Sequence, residues 1–272
     1  WNWDPEDRRL NQDFHSPTGD SVQIAPELAM EVVVADLHDR VIDSCREWFP
    51  RLGLPRPCLM QAPMQEALLQ SLHSEDGVRT FVIFGAYGNG QAESALQKQL
   101  MEAFPEQMHS IRTQALGTSS GASLAPHSSW RQPSKCSCEE LMQLNMANRG
   151  RVWVAEPTPT DHSIQLVACA AYPRCQNPSE QVHVGRMFQA ALKAVVDTVM
   201  CRTTSHFATP RGGSTGRRAS GGRPNSATNT SSVSQRLRVR VVTHALGSFV
   251  GHNEPELFGC GLATGLADFL GG

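Results

Sequence analysis

Arg236-Leu237-Arg238-Val239-Arg240-Val241-Val242-Thr243 runs directly into His244-Ala245-Leu246-Gly247-Ser248-Phe249-Val250-Gly251, then His252-Asn253-Glu254-Pro255-Glu256 and an apolar segment that stops at Gly271-Gly272. The first run alternates as a strand does, the second is a small-residue loop, and the third opens a helix. A loop in that position lies at the carboxyl end of a strand and the amino end of a helix. Backbone N–H groups point outward there and the helix dipole adds partial positive charge, which suits a phosphate or pyrophosphate. Gly247 and Gly251 let the backbone come close to a ligand. An ordinary strand-to-helix turn has the same outline, so the remaining chain has to decide between the two readings.

The same unit occurs once more. Thr80-Phe81-Val82-Ile83-Phe84 is apolar almost throughout, as a strand buried on both faces would be. It leads into Gly85-Ala86-Tyr87-Gly88-Asn89-Gly90 and a helix carrying Ala92, Ala95, Leu96, Leu100, Ala103 and Phe104 on one face. Four more strands are expected, at 29–35, 57–61, 151–155 and 164–170, the last two as a hairpin. Helices are expected from His38 to Phe49, after Pro63, from Ser137 to about Ala147, and from Asn177-Pro178-Ser179-Glu180 onward. That last helix repeats Val184, Met187, Phe188, Ala191, Leu192, Val195 and Val199 on one face. Val32, Val34, Phe81, Ile83, Val152, Val154, Leu166 and Val239 are the expected buried strand residues, with Phe188 and Leu192 packed on the sheet.

Strands and helices that mostly alternate specify a three-layer α/β/α domain with a mixed six-stranded sheet. Residues 1–28 read as an irregular arm, and 29–272 as a single domain with low-complexity insertions at about 110–136 and 202–235. Without the insertions about 200 residues remain, enough for one sizeable core.

Composition narrows the function classes. A formal net charge of −2 supplies no global basic field, so a nucleic-acid partner is not expected. No segment reaches the ~18 apolar residues of a membrane span. The chain opens on Trp1, as a fragment or processed product would, and its polar first residues do not read as a signal peptide. Eight cysteines, several within apolar periodic segments, suit reduced thiols in an intracellular compartment, cytoplasmic or nuclear.

With these residues in view the chain resembles a macro domain, the ADP-ribose-binding fold, in its compact bacterial and phage-like branch. The likeness rests on Val32 to Asp36 leading to a helix with Trp48 and Phe49, on the hairpin between Gly150 and Pro178, and on Ala245 through Gly251. That last segment is similar to the family's Gly-Leu-Gly-Thr-Gly-Val-Gly phosphate loop. The resemblance implies a monomeric module holding ADP-ribose or a related nucleotide diphosphate, free or on an ADP-ribosylated protein. The ligand-binding residues would be Gly85, Ala86, Tyr87, Gly88, Asn89 and Gly90, and Ala245, Leu246, Gly247, Ser248, Phe249, Val250 and Gly251. It implies no cofactor and no metal. Tyr87 stands where the family carries Asn, Gln61-Ala62-Pro63 has no carboxylate where it often has Asp, and Phe249 replaces a glycine. Two alternatives stay open, an ADP-ribosyl or phosphate-ester hydrolase of the same fold, which these departures disfavour, and a degenerate interaction scaffold.

Other chemistry has weaker support. Cys136-Ser137-Cys138 lacks the spacing of a zinc site. His244 and His252 flank the phosphate loop as solvated loop histidines that could touch a ligand. No nucleophile elbow supports a Ser–His–acid triad, so no catalytic residue is assigned.

Overall fold

The structure, a computed structural model, describes residues 19–25, 28–64, 66, 77–86, 91–118, 148, 150–157, 163–170, 178–207, 237–244 and 254–272. Its elements are β1 (Ser21–Ala25), β2 (Leu28–Ala35), α1 (Asp39–Arg51), β3 (Cys58–Met60), β4 (Val78–Gly85), α2 (Gln91–Ala103), α3 (Pro105–Thr118), β5 (Val152–Val154), β6 (Ile164–Cys169), α4 (Pro178–Phe207), β7 (Leu237–Thr243) and α5 (Pro255–Gly271).

One mixed sheet joins all the strands in the order β1-β2-β7-β4-β6-β5, with β3 also on β2. Because β7 pairs with β2 from Leu28↔Leu237 to Val34↔Thr243, β1 and β3 divide the opposite edge of β2 between them. β1 pairs antiparallel with its amino half and β3 parallel with its carboxyl half. At the other end β5 and β6 form the expected antiparallel hairpin pairing, Trp153↔Ala168. The strands β3, β2, β7, β4 and β6 are parallel to one another.

The side-chain period of two sends alternate residues to opposite faces. Val32, Val34, Phe81, Ile83, Val239 and Val241 meet α1, α4 and α5 in one core, which includes Phe188 and Leu192. Val33, Ala35, Val82, Phe84, Leu166 and Val242 meet Leu96 and Leu100 of α2 and Met108 and Ile111 of α3 in a second. The architecture is therefore α/β with a mixed sheet and helices on both sides.

Four expectations need correcting. Among the described residues the sheet has seven strands rather than six. The extra one, β1, lies in the segment read as an irregular arm; Val22 and Ile24 alternate there, but an edge strand with a half-exposed pattern is held mainly by its backbone pairing to β2. The insertion expected from 110 starts later, because α3 runs to Thr118 and buries Met108, Ile111 and Ala115 beneath its polar residues. The insertion expected from 202 also starts later, since α4 continues to Phe207. Finally, Val152 and Val154 are half-buried while Trp153 between them is buried. The alternation of β5 is as expected and its phase is reversed: the hairpin register turns Trp153 into the core with α2 and α3, while Val152 and Val154 pack on the margin of the other core. The helix expected at 137–147 lies outside the described residues.

α5 is pressed into place by small residues. A Cβ built on Gly265 would stand 2.4 Å from the carbonyl oxygen of Gly185 in α4. One built on Gly259 would stand 2.6 Å from the Ser44 side chain and 2.8 Å from the Cys45 nitrogen in α1. Only glycine lets the three helix backbones approach this closely.

Candidate functional site

β4 and β7 are neighbouring parallel strands, in register at Ile83↔Thr243. Their carboxyl ends, Gly85-Ala86 and Thr243-His244, therefore lie side by side at one edge of the sheet. Each strand is followed in the chain by a helix, α2 or α5. In open α/β sheets this edge is where ligands bind.

Of the thirteen loop residues singled out from the sequence, the structure describes Gly85 and Ala86. Gly85 ends β4 and Ala86 is 3% exposed, its N–H donating to the Cys169 carbonyl at 2.8 Å. The Gln97 amide in α2 donates to the carbonyls of Gly85 (3.1 Å) and Ala86 (3.2 Å), fixing the backbone where it leaves the strand. Tyr87 to Gly90 and Ala245 to Gly251 lie outside the described residues, as do Cys136, Cys138 and His252.

The helix start after β7 carries Pro255 at its first position, and Glu254 makes no side-chain capping hydrogen bond. Pro at that position is pre-organised for the helix and gives up an N–H that would be unpaired anyway. The amino end of α5 is tied to that of α1. Ser44 Oγ donates to the Glu256 carbonyl, and Arg40 pairs with the Glu256 carboxylate at the surface.

Two side chains that sequence reasoning undervalued are buried here, at the ends of the neighbouring strands β2 and β7. His244 is 9% exposed rather than solvated, and among the described residues its buried Nε2 has no hydrogen-bond partner. Burial holds the imidazole below its ordinary pKa of 6.5, opposed by the nearby Asp36 carboxylate. Asp36 follows β2, is 6% exposed, and accepts a hydrogen bond from the His38 N–H at 2.9 Å at the start of α1. An Asp after a strand and a His before a glycine loop were visible in the sequence; their burial at adjacent strand ends was not.

The thiols nearby are inert. Burial, then Asp36 and Cys260, push the Cys45 thiol far above the usual range, and Cys260 is also raised, first by burial. Among the described residues no group of three or more His, Cys, Asp and Glu side chains is arranged to hold a metal. A groove of about 430 Å³ lies between α3 and the segment after β5, lined by residues including Glu106, His109, Ser110, Gln114 and Glu156. By the β5–β6 register it opens toward the amino ends of the parallel strands, away from Gly85 and His244. Several of its polar groups are already used: Ser110 Oγ accepts from the Glu156 N–H at 3.1 Å, and Gln114 donates to the Val154 carbonyl at 2.8 Å.

No helix among the described residues is long and apolar enough to cross a membrane. No protein-family model, curated protein or solved structure matches the chain.

Proposed function

We propose that this chain is a macro-domain-like module that holds ADP-ribose, or a related nucleotide diphosphate, between segments 85–90 and 245–251. The observation that carries the reading is the parallel pairing of β4 with β7, which starts both segments from one edge of the sheet. A diphosphate gripped between two glycine-rich segments requires such neighbours. The amino end of α5 adds the helix-dipole field that favours a phosphate. Whether such a ligand is free or attached to a protein does not change the chemistry of the grip, and the reading carries with it a monomer in an intracellular compartment.

Calorimetric titration with ADP-ribose tests this. Wild type should bind; Gly247→Val should abolish binding, because a β-branched side chain fills the space through which the backbone approaches the phosphate. Asn89→Ala should weaken binding by about 0.5–1.5 kcal/mol, one net hydrogen bond. Absence of binding by the wild-type chain would reject the reading. An ADP-ribosyl or phosphate-ester hydrolase of the same fold is the second reading, favoured by the buried Asp36 and His244 at the ends of the neighbouring strands β2 and β7.

A further inference from the structure

Glu31 is the one charged residue of β2, and it is buried among alanine and valine neighbours of the same strand. β7 carries two charges, Arg238 at the surface and Arg240 buried. In the β2–β7 pairing Glu31 stands directly opposite Arg240, and Arg240 Nε donates to Glu31 Oε2 at 2.9 Å. The other carboxylate oxygen, Oε1, is buried with no hydrogen-bond partner among the described residues.

Stability alone does not account for such a pair. Both charges leave water, one carboxylate oxygen gains nothing in return, and apolar residues of similar volume are often as stable or more so. What apolar residues supply poorly is a choice of register. Because side chains alternate with a period of two, a slip of two residues keeps every side chain on its own face. Slipped one way, Met30, Val32 and Val34 would face Leu237, Val239 and Val241 in place of Val239, Val241 and Thr243, so the apolar face barely distinguishes the two pairings. The same slip sets Glu31 against Arg238 and Arg240 against Val33. Slipped the other way, Glu31 faces Val242 and Arg240 faces Ala29. Either slip leaves the buried guanidinium with no carboxylate opposite it, and stranding a buried charge is strongly unfavourable.

The register also sets the carboxyl edge of the sheet. A two-residue slip would carry β2 and the start of α1 about 6–7 Å along β7, out of level with the start of segment 245–251.

We propose that the Glu31–Arg240 pair is a register lock: it holds β2 and β7 in the one pairing that brings the start of α1 level with the exit of β7, and it contributes specificity of pairing rather than net stability. The two residues are positioning residues for that edge whatever ligand it takes, so the proposal stands or falls independently of the ADP-ribose reading.

The test combines urea unfolding of the full chain with backbone NOEs between the α-protons and amide protons of β2 and β7, which read the register without any ligand. Wild type should give one set, matching Val32↔Val241. The double variant Glu31→Leu/Arg240→Met should keep a urea midpoint close to wild type and show a second set offset by two residues. Glu31→Arg/Arg240→Glu, which restores opposed charges, should return to a single set. A double apolar variant that shows the native set alone overturns the proposal, because helix packing then fixes the register without the pair. A double apolar variant that is unfolded, or whose midpoint collapses, also overturns it, because the pair is then a stability element. So does a charge-reversed variant that folds and keeps both sets.

Discussion

Replacing Gly265 by Ala tests how the helices on one side of the sheet are held together. The added Cβ would lie 2.4 Å from the Gly185 carbonyl oxygen and 3.1 Å from the Gly185 Cα, whereas ordinary contact begins at 3.4 Å. The obstacle is backbone, so no rotamer change relieves it, and α4 and α5 must separate by about 1 Å at the crossing. Such overpacking costs ~1–3 kcal/mol, and a rigid obstacle belongs at the upper end of that range. Ala is favoured over Gly in a helix interior by ~1 kcal/mol. The net expectation is a loss of about 2 kcal/mol. With a urea m-value of about 2–3 kcal/mol/M, the midpoint should fall by roughly 0.7–1 M with m unchanged. Gly271→Ala at the end of the same helix is the control, because nothing lies within 4 Å of its built Cβ; its midpoint should hold or rise slightly. A Gly265→Ala midpoint equal to or above wild type would refute the close crossing of α4 and α5.

Two further outcomes follow from buried charge. Glu31 and Arg240 face each other across β2 and β7, with Arg240 Nε to Glu31 Oε2 at 2.9 Å and side chains 10% and 9% exposed. Arg240→Met should cost ~3–5 kcal/mol in urea unfolding by stranding the carboxylate, and Glu31→Leu added to it should recover most of that loss; additive single effects would disprove the coupling. His244 is held below its ordinary pKa of 6.5 by burial, so the unfolded chain takes up a proton before the folded one does. Its contribution to stability is complete above pH 6.5 and is lost as pH falls from there toward the lower folded value. The slope of stability against pH just below 6.5 should therefore flatten in His244→Asn; an unchanged slope would mean the imidazole is solvated.

Most of the element order could be read directly from the sequence, because period and punctuation are local. Thr80 to Phe84 reads as a doubly buried strand and is one, with β7 and β6 on its two sides. Pro178 marks the start of α4, and Val184, Phe188, Leu192 and Val195 keep one apolar face along it. What failed was local structure with a weak apolar signal. β1 depends on backbone pairing to β2, and α3 hides three buried residues among Ser, Thr and Gln.

Placement across the sheet was decided only by the tertiary structure. The two glycine-rich exits already suggest that β4 and β7 are neighbours, as their pairing has them; that β7 lies between β2 and β4 follows only from the crossover connections. Arg240 has the alternation of a solvent-facing strand residue, yet it is buried because Glu31 comes opposite it in the β2–β7 register. Gln97 and His244 are polar residues whose burial depends on which carbonyls and carboxylates the fold brings to them. Apolar burial is encoded along the chain by periodicity, whereas a buried polar group is tolerated only through partners distant in sequence, and those partners exist only once the sheet has formed.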